Sequence, residues 1–158
     1  MAALLDAGAD LEARTRDGWT PLHLAAEHGT PDTVAALLDA GAELEARTRD
    51  GWTPLHLAAE HGTPDTVAAL LDAGADLEAR TGDSKTPLHL AMILDKRETV
   101  AKLIAAGADP DARDEDGFTP LHWGMASSIL APMLDAGADP KARADDGSLP
   151  ADTPSSGR

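Results

Sequence analysis

Between Thr20 and Gly41 the apolar residues fall at helical spacing in two short runs, Leu22, Ala25 and Ala26, then Val34, Leu37 and Leu38. Each run predicts a helix with one buried stripe and a polar outer face. Thr20 is placed to cap the first helix, with Pro21 at its opening position, where a missing N–H costs nothing. Gly29 supplies a left-handed stop. Thr30 and Pro31 repeat the start signal for a second helix expected to run to Gly41. Before them, the segment ending in Trp19 reads as a short extended hairpin that turns at Asp17-Gly18.

This block recurs. Thr-Pro-Leu-His begins at Thr20, Thr53, Thr86 and Thr119, each 33 residues after the last. Asp17, Asp50, Asp83 and Asp116 keep the same step, and Asp146 follows after 30. Residues 2–38 and 35–71 match at every position except Asp10 against Glu43. Such identity marks a recent duplication or an engineered array, and sequence leaves both open. One unit of turn, helix, turn, helix is too small to bury its own apolar face, so stacked neighbours must complete the core.

Composition agrees with a thin, repeated core. Of 158 residues 32 are Ala and four are aromatic, and Asn, Gln, Tyr and Cys are absent. A single thick core needs more bulky side chains. The formal charge of −15 repels phosphate and anionic lipid, which argues against nucleic acid or an acidic membrane face as partner. The N-terminus lacks the basic start and long apolar run of a signal peptide. Gly117 to Leu134 is uncharged but carries Pro120, His122, Gly124 and Pro132, and it falls in register with the repeats, so no membrane span is expected. Abundant Ala, Arg, Asp, Gly and Pro with four Lys point to a GC-rich, bacterial genome. The expected location is cytoplasmic, with non-classical secretion as an effector left open.

The run Asp-Gly-Trp-Thr-Pro-Leu-His-Leu-Ala-Ala and the closing Leu-Leu-Asp-Ala-Gly-Ala-Asp resemble the ankyrin-repeat family over about residues 2–150. The resemblance implies an all-α repeat solenoid of helix-turn-helix pairs with short β-hairpin fingers, a curved concave surface that binds other proteins, and no cofactor. The expected layout is one domain over 1–154: a half-unit at 1–8, repeats at 9–41, 42–74, 75–107 and 108–137, and a C-terminal half-unit at 138–154. Residues 155–158 form an expected disordered tail. In place of the family's usual Asn stand Glu12, Glu45, Glu78, Asp111 and Lys141, which leaves open who bonds the finger backbones. Ser84 and Asp95 replace glycines of the other units. The inter-helix region of repeat 4 is three residues short, and Pro132 is expected to force a late helix start near Ile129 or Leu130. Ala2-Ala3-Leu4-Leu5 begins inside a second helix, so the chain reads as an uncapped array or a fragment, able to stack end to end on another copy.

Candidate chemistry is sparse. His23, His56, His89 and His122 lie in the repeated motif, where the resemblance implies that they tie neighbouring hairpins. His28 and His61 end first helices, at the negative end of the dipole. The five-residue step from His23 to His28 does not match the i,i+4 spacing of metal ligands on one helix face. No nucleophile elbow or phosphate loop is present, so neither metal binding nor an enzyme is expected. The Arg column Arg14, Arg47, Arg80, Arg113 and Arg143 reads as exposed ion pairs with the flanking acids, or as an edge for an acidic partner.

Recognition residues are sought where the repeats differ. Before each Thr-Pro-Leu-His stand Trp19, Trp52, Lys85 and Phe118, aligned along the fingers, and large aromatics on accessible surfaces serve as binding anchors. The alternative is that each Trp packs on its own finger. Glu27-His28 and Glu60-His61 become Ile93-Leu94 in repeat 3, and Trp123 and Met125 replace Leu and Ala in repeat 4. Exposed apolar residues at otherwise polar positions point to contact, against local repacking around the deletion. The reading is a non-enzymatic module that recognises a partner protein of basic or mixed charge, acting as an inhibitor, protector or effector. A self-associating structural repeat protein and an engineered scaffold are the alternatives.

Overall fold

Each Thr-Pro-Leu-His motif opens a helix. The structure, a computed structural model, describes residues 10–124 and 127–152. The first half-unit, Met125 and the tail after 152 lie outside the described residues. Two compact units, Met1–Asp76 and Leu77–Arg158, are taken in turn.

In the first unit α1 spans Pro21–Glu27, α2 Pro31–Asp39, α3 Pro54–Glu60 and α4 Pro64–Asp72. Thr20 and Thr53 cap α1 and α3 with extended backbone, and proline holds the first helical position. Gly29 takes φ +64, the left-handed stop expected of it. The second helices end at Asp39 and Asp72, with Gly41 and Gly74 at φ +95 and +90 beyond them. Helix α1 packs on α2 and α3, and α4 on α2 and α3. Leu22, Val34 and Leu37 from one repeat and Leu55, Val67 and Leu70 from the next are fully buried between them. Ala25, Ala26, Ala58 and Ala59 fill the same layer, and small side chains there let the helices approach closely.

In the second unit α5 spans Pro87–Ile93, α6 Arg97–Ala105, α7 Pro120–Trp123 and α8 Ser127–Asp135, followed by a 3₁₀ turn at Pro150–Asp152. Leu88, Met92, Val100, Leu103, Leu121, Ile129 and Met133 form its core. Asp95 does the work of Gly29 at φ +52, and Ser84 turns its finger at φ +60; both are non-glycine residues in the left-handed region, which Asp tolerates better than most. Pro132 does not delay α8: the helix starts at Ser127 and runs through it. The proline sits on the exposed face, while Ile129 and Met133, one turn apart, stay buried. The lost backbone bond is therefore outweighed by the two apolar anchors. Gly124 explains itself by position: a Cβ there would lie 2.8 Å from the Met92 carbonyl.

The fingers are closed turns, and no β-strand occurs among the described residues. Thr15 N–H donates to Trp19 O at 2.9 Å and Gly18 N–H to Thr15 O at 3.0 Å, a pattern repeated at Thr48, Thr81, Asp114 and Ala144. The acidic column takes the bonding role that Asn would fill. Glu12 Oε1 accepts from Glu43 N–H at 2.8 Å and Glu45 Oε1 from Asp76 N–H at 2.9 Å; in the second unit Glu78 Oε1 accepts from Asp109 N–H and Asp111 Oδ1 from Asp139 N–H, both at 2.8 Å. The arginines act mainly on backbone too. Arg14 and Arg113 donate to the carbonyls of Arg47 and Arg143 at 2.8 Å, and Arg80 donates to Arg113 O. Their carboxylate contacts, Arg14 to Glu43 at 3.8 Å and Arg113 to Asp145 at 3.2 Å, are exposed and contribute under about 1 kcal/mol each.

Candidate functional site

The motif histidines fix the fingers against the helices. His23 Nδ1 accepts the Thr20 N–H at 3.1 Å, which leaves the proton on Nε2, 3.1 Å from Trp52 O in the following finger. His89 repeats this with Thr86 N–H and Phe118 O, and His122 with Thr119 N–H and Ser148 O. Burial lowers the pKa of His23 and brings His89 down to about 4. The His23 and His89 imidazoles are therefore neutral hydrogen-bond bridges at pH 7. Among the described residues no group of three or more His, Asp or Glu is arranged to hold a metal.

The bridged carbonyls of Trp52 and Phe118 belong to the residues just before their motifs. In the first unit Trp19 and Trp52 are half-buried, their rings tilted 6.3 and 6.1 Å from His23 and His56. Each ring thus lies beside the helix histidine of its own repeat, and both wall an open recess of about 290 Å³. Leu57 and Thr48 complete its floor, and Glu27, Asp50, Glu60 and His61 its rim. Glu60 lies 3.0 Å from His61 Nε2. Burial raises the Glu60 pKa, the charge of Glu27 adds to that, and His61 works against it. A second recess of about 360 Å³ opens between fingers and is lined by Arg14, Arg16, Arg47 and Arg49 with Thr15, Gly18 and Thr48.

In the second unit Lys85, Phe118 and Trp123 come together. The Lys85 ammonium pairs with Asp83 and lies 5.2 Å from the centroid of the Trp123 ring, within cation–π range. Burial pushes the Asp83 carboxyl up, but bonds from Lys85 and Thr81 outweigh it and hold it below its ordinary value. Phe118 meets Trp123 edge to face at 5.6 Å. Asp114 organises the group: Oδ2 accepts from Trp123 Nε1–H at 3.1 Å and Oδ1 from Phe118 N–H at 2.9 Å. Ile93 is half-buried at the end of α5, and Leu94, its C-cap, is 39% exposed. Neither joins the Trp123 cluster by any ring or polar contact, and Met125 lies outside the described residues. Sequence reading missed Asp114, which stands where other repeats carry Thr15, Thr48 and Thr81, and it missed the acids Glu27, Asp50 and Glu60. The substitution of Glu27 and Glu60 by Ile93 was the visible signal for two of them.

Helix pairs joined by bridged fingers, with the varying side chains around the finger bases, define a repeat scaffold for recognition. The model of ankyrin repeats in three copies matches residues 1–81, and the single-repeat model matches residues 83–115. The chain belongs to the ankyrin-repeat family. A search of the curated proteins finds no match. Ankyrin repeats are protein–protein interaction modules, typically without catalytic activity. No helix among the described residues is long and apolar enough to cross a membrane.

Proposed function

We propose that the protein recognises a partner protein through Trp19, Trp52, Lys85, Ile93, Leu94, Phe118 and Trp123, with Met125 beside them in sequence, and inhibits, protects or modifies the action of that partner in a bacterial cytoplasm. The observation that carries this reading is the placement of the finger-base aromatics. In the first unit Trp19 and Trp52 wall an open recess, whereas small alanines fill the buried helix layer. Partly exposed indoles on a rigid frame offer large contact area with little ordering cost. The charge of −15 favours a partner of basic or mixed surface.

The test is affinity capture with the native chain beside two folded variants. One carries alanine at Lys85, Ile93, Leu94 and Phe118, and the other alanine at Trp19 and His28. A partner retained by the native chain and lost mainly by the first variant places recognition in the divergent repeats. Greater loss with the second overturns that placement.

A further inference from the structure

The residues lining the 290 Å³ recess of the first unit have counterparts by sequence in the second, and the two sets differ in an informative way. Shifting by two repeats, Trp19 corresponds to Lys85, Glu27 to Ile93, Trp52 to Phe118 and Leu57 to Trp123. In the second unit the chain itself supplies an ammonium, Lys85, which meets the Trp123 ring and the Asp83 carboxylate. There Ile93 replaces Glu27, while Asp116 keeps the place of Asp50 and Asp114 stands in that of Thr48. In the first unit no lining residue is a lysine or arginine, two indoles stand at the walls, and Glu27, Asp50 and Glu60 are all present. The second-unit set holds an ammonium of its own and has exchanged the acid at the end of the first helix for Ile93. The other keeps its carboxylates, with His61 Nε2 3.0 Å from Glu60 and His28 Nδ1 3.6 Å from Glu27, and has no lysine or arginine in its lining.

We propose that this recess receives the ammonium of a lysine side chain from a basic segment of the partner protein, seated between Trp19 and Trp52 and paired with Glu27 and Glu60. The assignment rests on the recognition reading above and names the chemistry of one contact within it. Aromatic faces and carboxylates at one recess suit an alkylammonium, whose stem packs on the rings while its head meets the acids. Glu27 and Glu60 also repel one another, which contributes to holding Glu60 above its ordinary pKa. A seated cation relieves that repulsion and favours the ionised form of Glu60.

The three indole N–H signals, one for each Trp, provide the test in the full chain. A capped Gly-Gly-Lys-Gly-Gly peptide is titrated by NMR beside the same peptide with acetyl-lysine. The expected result is saturable movement of the Trp19 and Trp52 signals, with Trp123 still, and no movement with acetyl-lysine. The Glu27→Gln/Glu60→Gln variant should bind about five-fold more weakly, while Asp32→Asn/Asp65→Asn, equal in net charge and altered at exposed sites, should change affinity less than about two-fold. Equal weakening by both pairs, movement of all three indoles alike, or no movement overturns the proposal. Because the probe is a synthetic peptide, such a failure leaves the capture experiment to decide the recognition reading separately.

Discussion

Acid should destabilise the protein through the buried histidines His23 and His89, and His89 gives the clearer case. Its ring is inaccessible to solvent. Nδ1 accepts the Thr86 N–H at 3.1 Å, so a second proton would place one donor against another. Burial is the main reason that its pKa falls from 6.5 to about 4; the Phe118 carbonyl and Asp114 oppose the fall, and Arg80 and Lys85 assist it. Because the folded value lies below the unfolded one, the stabilisation is complete above about pH 6.5 and is lost as pH falls toward 4. The shift corresponds to about 3 kcal/mol at full extent. Urea unfolding of the native chain and of His89→Gln, each at about pH 7 and about pH 4.5, isolates the effect, since other titrating groups are common to both chains. The variant should be less stable at the higher pH, but its loss on acidification should be smaller by about 2 to 3 kcal/mol. An equal acid loss in the two chains refutes the reasoning, as does an NMR titration that finds the His89 ring protonating near 6.5.

Two further substitutions probe close packing. Gly62→Ala would set a Cβ 2.8 Å from the carbonyl oxygens of Ala26 and Ala58, and thermal unfolding should show a loss of about 1 to 3 kcal/mol; an unchanged midpoint would mean that the helix end moves aside freely. Trp123→Phe removes the donor to buried Asp114 while keeping the ring, and should cost about 1 to 3 kcal/mol by urea unfolding. Pairing it with Asp114→Thr, the residue of the other fingers, should recover part of that loss, and a purely additive double variant would contradict the link.

The helices were legible because their signals are local. Thr-Pro starts, glycine stops and the spacing of Leu22, Ala25 and Ala26 need no knowledge of neighbours, and the 33-residue step supplied the rest of the architecture. Less was legible where a choice depends on a partner far along the chain. The role of Glu12 in the finger backbones stayed open, and its carboxylate accepts from the Glu43 N–H; Arg14 read as half of an exposed ion pair, which it makes with Glu43, and it also reaches the Arg47 carbonyl. Pro132 was judged by propensity, whereas α8 is held by Ile129 and Met133. At the candidate site the aromatic and lysine positions stood out by their variation. Asp114 did not, because its role requires knowing that the Trp123 indole turns toward its finger.

The deletion in repeat 4 shows where this scaffold tolerates change of length. Acid-to-backbone bonds span 31 residues at Glu12, Glu45 and Glu78 but 28 at Asp111. Arginine-to-carbonyl bonds span 33 at Arg14 and Arg80 but 30 at Arg113. The missing three residues have been absorbed wholly within α7 and its link to α8, and the finger contacts on either side are intact. Within each unit the fingers thus keep a pitch set by paired backbone bonds, and the helices are the parts whose length is adjustable. Insertions and deletions in such a chain should accumulate on the helix side, while a single residue added to a finger would disengage it from both of its neighbours.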